Sequence, residues 1–211
     1  MSISLDHERF RLTHNQYQQG LFSTEARRFC EPIPEEVYQR LRSIVSEAQL
    51  GKGERVLDVG TGTGVLIPLI QSHEVEFIMG CDLSPVMLRL ARQHCPGVPF
   101  WCGDIVDFPV SKGPFDAVFV NAVFGNLWDQ QQSLGKINEL LKPAGRICIS
   151  HPLGSGFVEE LHRTDPRRTP HTLPDRARLL DMIDELPLQL IGYQDNQDLY
   201  IVLLRKHVAS E

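Results

Sequence analysis

Short apolar runs alternate with amphipathic stretches through the middle of the chain. The runs predict five strands, at 56–59, 75–81, 98–102, 115–120 and 146–150. Helical periodicity predicts helices at 65–71, 85–94 and 133–141, and a further amphipathic helix at 35–48 before the first strand. Strands that alternate with helices in this way predict a doubly wound parallel sheet, which binds ligands beyond the carboxyl ends of its strands.

The two ends of the chain do not follow this alternation of strands and helices. After a predicted helix at 174–186, two strands at 188–193 and 199–205 are joined by a polar turn and predict an antiparallel hairpin. The fold class is therefore α/β, with a seven-stranded sheet that is mostly parallel and ends in this hairpin. Residues 8–30 mix aromatic and polar side chains and predict either a lid over a pocket or helices that only cap the sheet. We divide the chain into an N-terminal helical lid or extension, 1–34, and one domain, 35–211.

The first strand runs into a turn with glycine at every second position, Gly60, Gly62 and Gly64. Such a turn lets the backbone approach a ligand closely and lead into a helix N-terminus. Asp58, two residues before the first glycine, places a negative charge that would repel a pyrophosphate and attract an ammonium group. The dinucleotide fingerprint also needs its third glycine one residue later than here. The turn therefore favours a zwitterionic amino-acid moiety over a dinucleotide.

The segment Asp58-x-Gly60-x-Gly62-x-Gly64 resembles the first motif of the class I S-adenosylmethionine (SAM) methyltransferases. The resemblance covers about residues 35–206 and is closest to the ubiquinone/menaquinone-type group. It implies a Rossmann-like methyltransferase fold, SAM as cofactor, and methyl transfer to an acceptor. It also implies that Asp58 and the glycine loop, with Thr61, hold the methionine end of SAM.

Acidic residues also follow the second and third strands. Asp82 follows Gly60 by 22 residues in the sequence and is predicted to accept hydrogen bonds from ribose hydroxyls. The alternative is that Asp82 is only an acid at a helix start. Gly103-Asp104-Ile105 resembles the family's adenine-binding turn, in which Asp104 accepts from the adenine amine and Ile105 packs on the ring. The predicted cofactor site is completed by Leu83, Asn121 and Phe124. The Asn-Pro-Pro-Tyr motif of amine and amide methyltransferases is absent at 121–124, which disfavours those acceptors.

Histidines follow the fifth strand, where a methyl acceptor would lie. His151 is the candidate general base, because a histidine with a pKa near 6.5 can take a proton at neutral pH, and His162 is a weaker candidate. Alternatively, these histidines only bind backbone groups in loops. A metal site with His171 and either Asp165 or Asp175 is a further alternative. The spacings of eleven and nine residues match no compact metal motif, so we predict no metal.

Composition narrows the range of partners. A net charge of −6 argues against long nucleic-acid duplexes, whose binding needs clustered cations. Five cysteines without a C-x-x-C spacing indicate reduced thiols and a cytoplasmic location. No segment approaches the roughly 18 apolar residues of a membrane span. We therefore expect a small-molecule acceptor, while the sequence leaves its identity and the oligomeric state open.

Two other functions stay open. A nicotinamide-dependent (NAD) oxidoreductase is supported by the βα alternation and Asp82, but Asp58 and the glycine spacing oppose it. A SAM-binding protein without catalysis would carry the same cofactor motifs.

Overall fold

The computed structural model describes residues 2–208, and the side chains of residues 6–208. Seven strands form one sheet in the order β3-β2-β1-β4-β5-β7-β6. The strands are β1 (Arg55–Val59), β2 (Phe77–Asp82), β3 (Phe100–Cys102), β4 (Phe115–Asn121), β5 (Leu141–His151), β6 (Leu188–Asp195) and β7 (Tyr200–Lys206). Strands β1 to β5 pair in parallel, and β7 lies antiparallel between β5 and β6. The predicted fold class is confirmed.

Seven α-helices lie among the described residues. They are α1 (Ser2–Glu25), α2 (Glu35–Glu47), α3 (Ile67–Gln71), α4 (Pro85–His94), α5 (Gln130–Leu140), α6 (Gly154–Thr164) and α7 (Arg176–Ile183). The sequence interpretation missed α6, because Gly154 and Gly156 in its first turn disfavour a helix. Its apolar residues Phe157, Val158 and Leu161 nevertheless have helical spacing.

Apolar side chains cover both faces of the sheet. On one face Leu57 and Val59 pack with the buried side chains of α5 and α7, and on the other Val56 packs with those of α2 and α3. A parallel sheet buried on both faces leaves the carboxyl ends of its strands as the place for a ligand.

Helix α1 lies across these carboxyl ends. The amide of Gln19 donates to the carbonyl of Leu83 (3.0 Å), directly after β2, and Ser23 and Ser84 share a hydroxyl hydrogen bond (2.9 Å). Farther along the edge, the amide nitrogen of Gln18 donates to the carbonyls of Arg167 (3.1 Å) and Arg168 (2.8 Å). The N-terminal segment is thus bound to loops on both sides of the ligand edge.

Candidate active site

A cavity of about 760 Å³ lies between α1 and the carboxyl ends of the strands. Ten of the predicted site residues line it: Asp58, Gly60, Thr61, Gly62, Asp82, Leu83, Asp104, Ile105, Asn121 and His151. The strands therefore bring the glycine turn, the three acidic residues and the candidate histidine to one space.

Three predicted site residues lie outside the cavity lining. Gly64 (φ +86°) turns the chain toward α3, and a Cβ there would lie 3.1 Å from Cys95 Sγ. The side chain of Phe124 is fully buried in the core, so its neighbours Val123 and Gly125 line the cavity instead. His162 lies on α6 with Nδ1 2.8 Å from the carbonyl of Thr169, which matches the alternative of a loop-binding histidine. The structure gives each of these three residues a structural contact, and their assignment to the site stays a prediction.

Asp58 is a buried carboxylate with one oxygen available to a ligand. Only 2% of the residue is exposed, and its Oδ2 accepts a hydrogen bond from the Thr61 hydroxyl (2.7 Å). None of the described backbone groups or side chains donates a hydrogen bond to its Oδ1. Burial raises the pKa of Asp58 to about 7, and the charge of Asp82 acts in the same direction. A cation placed at Oδ1 would offset the cost of burying this charge.

Asp82 is held by the backbone of two turns. Its Oδ2 accepts from the Gly62 N–H (2.9 Å) and its Oδ1 from the Ser84 N–H (2.8 Å). Burial raises the pKa of Asp82, while these two hydrogen bonds oppose the increase. Each carboxylate oxygen keeps a further lone pair, so Asp82 can also accept from two hydroxyls on a neighbouring ribose.

The glycines of the turn have different roles. At Gly60 (φ +66°) a Cβ would lie 2.6 Å from Val123 Cγ2, so this position needs glycine for a close approach to the segment after β4. At Gly62 (φ +55°) no atom lies within 4 Å of the Cβ position. Gly62 therefore presents open backbone to the cavity, between Asp58 and Asp82. An amino acid joined to a nucleoside fits this arrangement.

Asp104 already has partners from α1. Its Oδ2 accepts from Arg11 Nη1 (2.9 Å) and Asn15 Nδ2 (2.7 Å), and its Oδ1 from the Val106 N–H (3.2 Å). Arg11 is only 6% exposed and also binds Asp107 (2.8 Å). We call the contacts of Arg11 and Asn15 with Asp104 and Asp107 the latch. The latch lies at the end of the cavity where the adenine was expected, and the sequence pattern did not indicate it.

His151 lines the cavity directly at the end of β5, as expected, but its chemistry differs from the expectation. Its ring lies 5.4 Å from that of Phe157, and only 8% of the residue is exposed. Burial lowers its pKa to about 4, so the ring is neutral at pH 7. The expectation that His151 has a pKa near 6.5 is therefore wrong.

Many of the side chains that line the cavity are apolar: Phe29, Ile33, Val37, Leu41, Leu153, Phe157 and Leu161. Of these residues, Phe157 lies against the His151 ring, and the backbone N–H of Leu153 is hydrogen-bonded to it. Asn121 is fixed to β5, because its Oδ1 accepts from the Ser150 hydroxyl (3.0 Å). Arg168, which the sequence interpretation did not select, also lines the cavity, with its charge paired to Glu25 (2.9 Å). This part of the cavity suits an apolar molecule with few polar groups.

Residues 56–145 match the sequence profile of the methyltransferase domain family. The fold is also that of a SAM-dependent methyltransferase from Aquifex aeolicus, with a TM-score of 0.69 and 17% identity over 87% of this chain and 97% of that one. Residues 56–145 are thus similar to methyltransferase domains, and the chain has the fold of the class I SAM-dependent methyltransferases, which the glycine motif resembles.

Particular relatives are similar to about half of the chain. Demethylmenaquinone methyltransferase of Streptomyces avermitilis is 28% identical over 120 residues, which are 55% of this chain and 51% of that protein. Malonyl-[acyl-carrier protein] O-methyltransferase of Herminiimonas arsenicoxydans is 38% identical over 111 residues, 52% of this chain and 41% of that protein. The chain spans about half the length of the curated relatives it matches.

Among residues 2–208 no helix is long and apolar enough to cross a membrane. Nor do the described residues include a group of three or more His, Cys, Asp or Glu side chains arranged to hold a metal ion.

Proposed function

We propose that the protein transfers a methyl group from SAM to a small, largely apolar acceptor. The observation that carries this proposal is the carboxylate of Asp58, which is buried beside the open backbone of Gly62 with one oxygen available to a cation. Asp58 would bind the ammonium group of SAM, and Asp82 would bind its ribose hydroxyls. A dinucleotide would instead bring a pyrophosphate toward a negative charge.

SAM supplies an electrophilic methyl group when it is bound. The protein then needs to orient the acceptor in line with that group and to exclude water, and such orientation can lower a barrier by about 7 kcal/mol or more. The apolar walls around His151 support an acceptor with an apolar body. The relatives are named for demethylmenaquinone and for malonyl-acyl carrier protein, which supports an acceptor that is a small molecule or is attached to a carrier.

The N-terminal segment 1–34 acts as a lid in this proposal. Side chains of α1 bind the Leu83 carbonyl and Asp104, two of the predicted cofactor contacts. Arg11 and Asn15 occupy Oδ2 of Asp104, so α1 moves in this proposal to admit the adenine of SAM. The five free thiols support a reducing compartment, and we place the enzyme in the cytoplasm.

The test is methyl transfer from radiolabelled SAM in an extract of the source cells, supplied with the purified full chain. We expect label in an organic-extractable compound of low molecular mass, and much less label in that fraction with an Asp58→Asn variant at the same low SAM concentration. Label in RNA or on protein side chains would contradict the proposed acceptor, whereas label on a small group attached to a carrier protein would not. Binding of SAM without any labelled product would favour a SAM-binding protein without catalysis.

A further inference from the structure

The hydrogen bond at His151 fixes where its ring carries hydrogen. The backbone N–H of Leu153 lies 3.2 Å from His151 Nδ1. A backbone N–H can only donate, so Nδ1 must accept with its lone pair. In a neutral imidazole the other ring nitrogen then carries the hydrogen. His151 is therefore the Nε2–H tautomer.

The Nε2–H group is the polar group that His151 offers to a ligand. Among the described residues no group forms a hydrogen bond with Nε2, and His151 lines the cavity. The nearby ionisable groups have partners elsewhere. The Tyr200 hydroxyl, on the strand paired with β5, donates to the Pro174 carbonyl (2.7 Å), and Arg40 binds the Pro152 carbonyl (3.1 Å) and Asp198 (3.1 Å). A neutral N–H donor is suited to an acceptor oxygen and not to an ammonium or amine hydrogen.

The cavity also lacks an obvious proton acceptor near His151. Of the acidic residues in its lining, Asp58 and Asp82 belong to the proposed cofactor side, Asp104 is bound by the latch, and Glu31 is exposed. An acceptor that still carried a proton on its reacting atom would find no base there. An oxygen that is ionised before it binds needs none.

We propose that His151 donates its Nε2–H to an acceptor oxygen that is already ionised, as in a carboxylic acid or an acidic enol, on an apolar body. Transfer to such an oxygen forms the oxygen–methyl bond and breaks the sulfur–methyl bond, whose electron pair stays on sulfur, so that no proton has to leave. This inference rests on the proposed function and replaces the general-base role first expected for His151.

The tautomer can be measured on the full chain without any ligand. Long-range proton–nitrogen correlation spectra of isotope-labelled protein would be recorded from about pH 5 to about pH 8, the range in which an ordinary histidine titrates. His151→Gln would assign the signals. We expect an unprotonated Nδ1 and a protonated Nε2 throughout this range. A protonated Nδ1, or proton uptake with its midpoint in this range, would overturn the donor role.

A second experiment measures the binding of naphthoate, an apolar carboxylate, by calorimetry in the presence of saturating S-adenosylhomocysteine. Loss of one hydrogen bond to a charged group should weaken naphthoate binding roughly tenfold in His151→Leu. His151→Gln should recover most of it, because the Gln amide can donate near the position of Nε2. Naphthylmethylamine, a cation of similar size, should bind the wild type more weakly than naphthoate does.

Two results of this calorimetric experiment would overturn the inference. One is equal naphthoate affinity in the wild type and His151→Leu, and the other is no naphthoate binding by a wild type that binds S-adenosylhomocysteine. Failure of the wild type to bind S-adenosylhomocysteine would refute the proposed function itself. S-adenosylhomocysteine affinity should be the same in all three proteins, which separates an acceptor-side role from a general disturbance of the site.

Discussion

Asp58→Asn should make the unliganded protein more stable and its cofactor binding weaker. Burial raises the pKa of Asp58 from its ordinary value of 3.8 to about 7. Each pH unit corresponds to about 1.4 kcal/mol, so the ionised carboxylate costs the folded state about 4 kcal/mol above pH 7. Asparagine keeps an oxygen for the Thr61 hydroxyl and carries no charge. We expect Asp58→Asn to raise the free energy of unfolding at pH 8 by about 2–4 kcal/mol.

The sign of the pH dependence follows from proton binding. The folded wild type holds the Asp58 proton up to about pH 7, whereas the unfolded chain releases it near pH 4. The contribution of Asp58 to stability is therefore lost as the pH rises through this window, and it stays constant above about pH 7. The stability gain in Asp58→Asn should accordingly be small near pH 4 and full at pH 8. Urea denaturation at several pH values measures it.

Cofactor binding should change in the opposite direction. Asp58→Asn removes a charge-assisted contact to the ammonium group, which is worth about 1.5–3 kcal/mol, or roughly 10- to 150-fold in affinity. Wild-type affinity should increase up to about pH 7 as Asp58 ionises, and decrease above about pH 8, where an α-amino group loses its proton. The variant should lack the increase on the acidic side. Calorimetric titration with S-adenosylhomocysteine measures both effects.

Asp181→Asn, on the exposed surface of α7, is the matched control and should change neither property. Wild-type affinity for S-adenosylhomocysteine in a folded Asp58→Asn protein would refute the assignment of Asp58 to the ammonium group. An unchanged free energy of unfolding at pH 8 would refute the argument from burial.

Two further predictions concern the ribose contact and the latch. Asp82→Asn places an amide nitrogen against a backbone N–H of Gly62 or Ser84. Calorimetry should therefore show S-adenosylhomocysteine binding weakened roughly tenfold or more. Unchanged binding would mean that Asp82 is only an acid at a helix start. Arg11→Met removes the guanidinium from the latch, so hydrogen exchange of α1 and the association rate of S-adenosylhomocysteine, followed by stopped flow, should both increase. The control is Arg9→Met on the exposed face of α1, and equal exchange in the two variants would show that the latch does not hold the lid.

The sequence predicted the parts of the site that depend on local chain geometry. Asp58, Gly62 and Asp82 could be found because each lies at or just after the end of a strand, and parallel strands bring their carboxyl ends to one edge. The side on which a residue of a tight turn faces is harder to predict. The short helical turn at Phe124–Asn126 directs Phe124 into the core and leaves Val123 to line the cavity.

Contacts between distant segments could not be predicted from one sequence. Arg11 and Asp104 are 93 residues apart, and their pairing depends on the path of α1 over the sheet. The protonation of His151 likewise depends on burial by α6, a helix that the sequence interpretation missed. Residue type and position indicated where His151 would lie, but only its surroundings determine whether it acts as a base or as a hydrogen-bond donor.

The most direct test of the account is a calorimetric titration of the full chain with SAM, S-adenosylhomocysteine and NADH under the same conditions at about pH 7.5, where Asp58 is largely ionised and the ligand amino group largely protonated. We expect SAM and S-adenosylhomocysteine each to bind at one site per chain, and NADH not to bind. Binding of NADH without binding of SAM would contradict it.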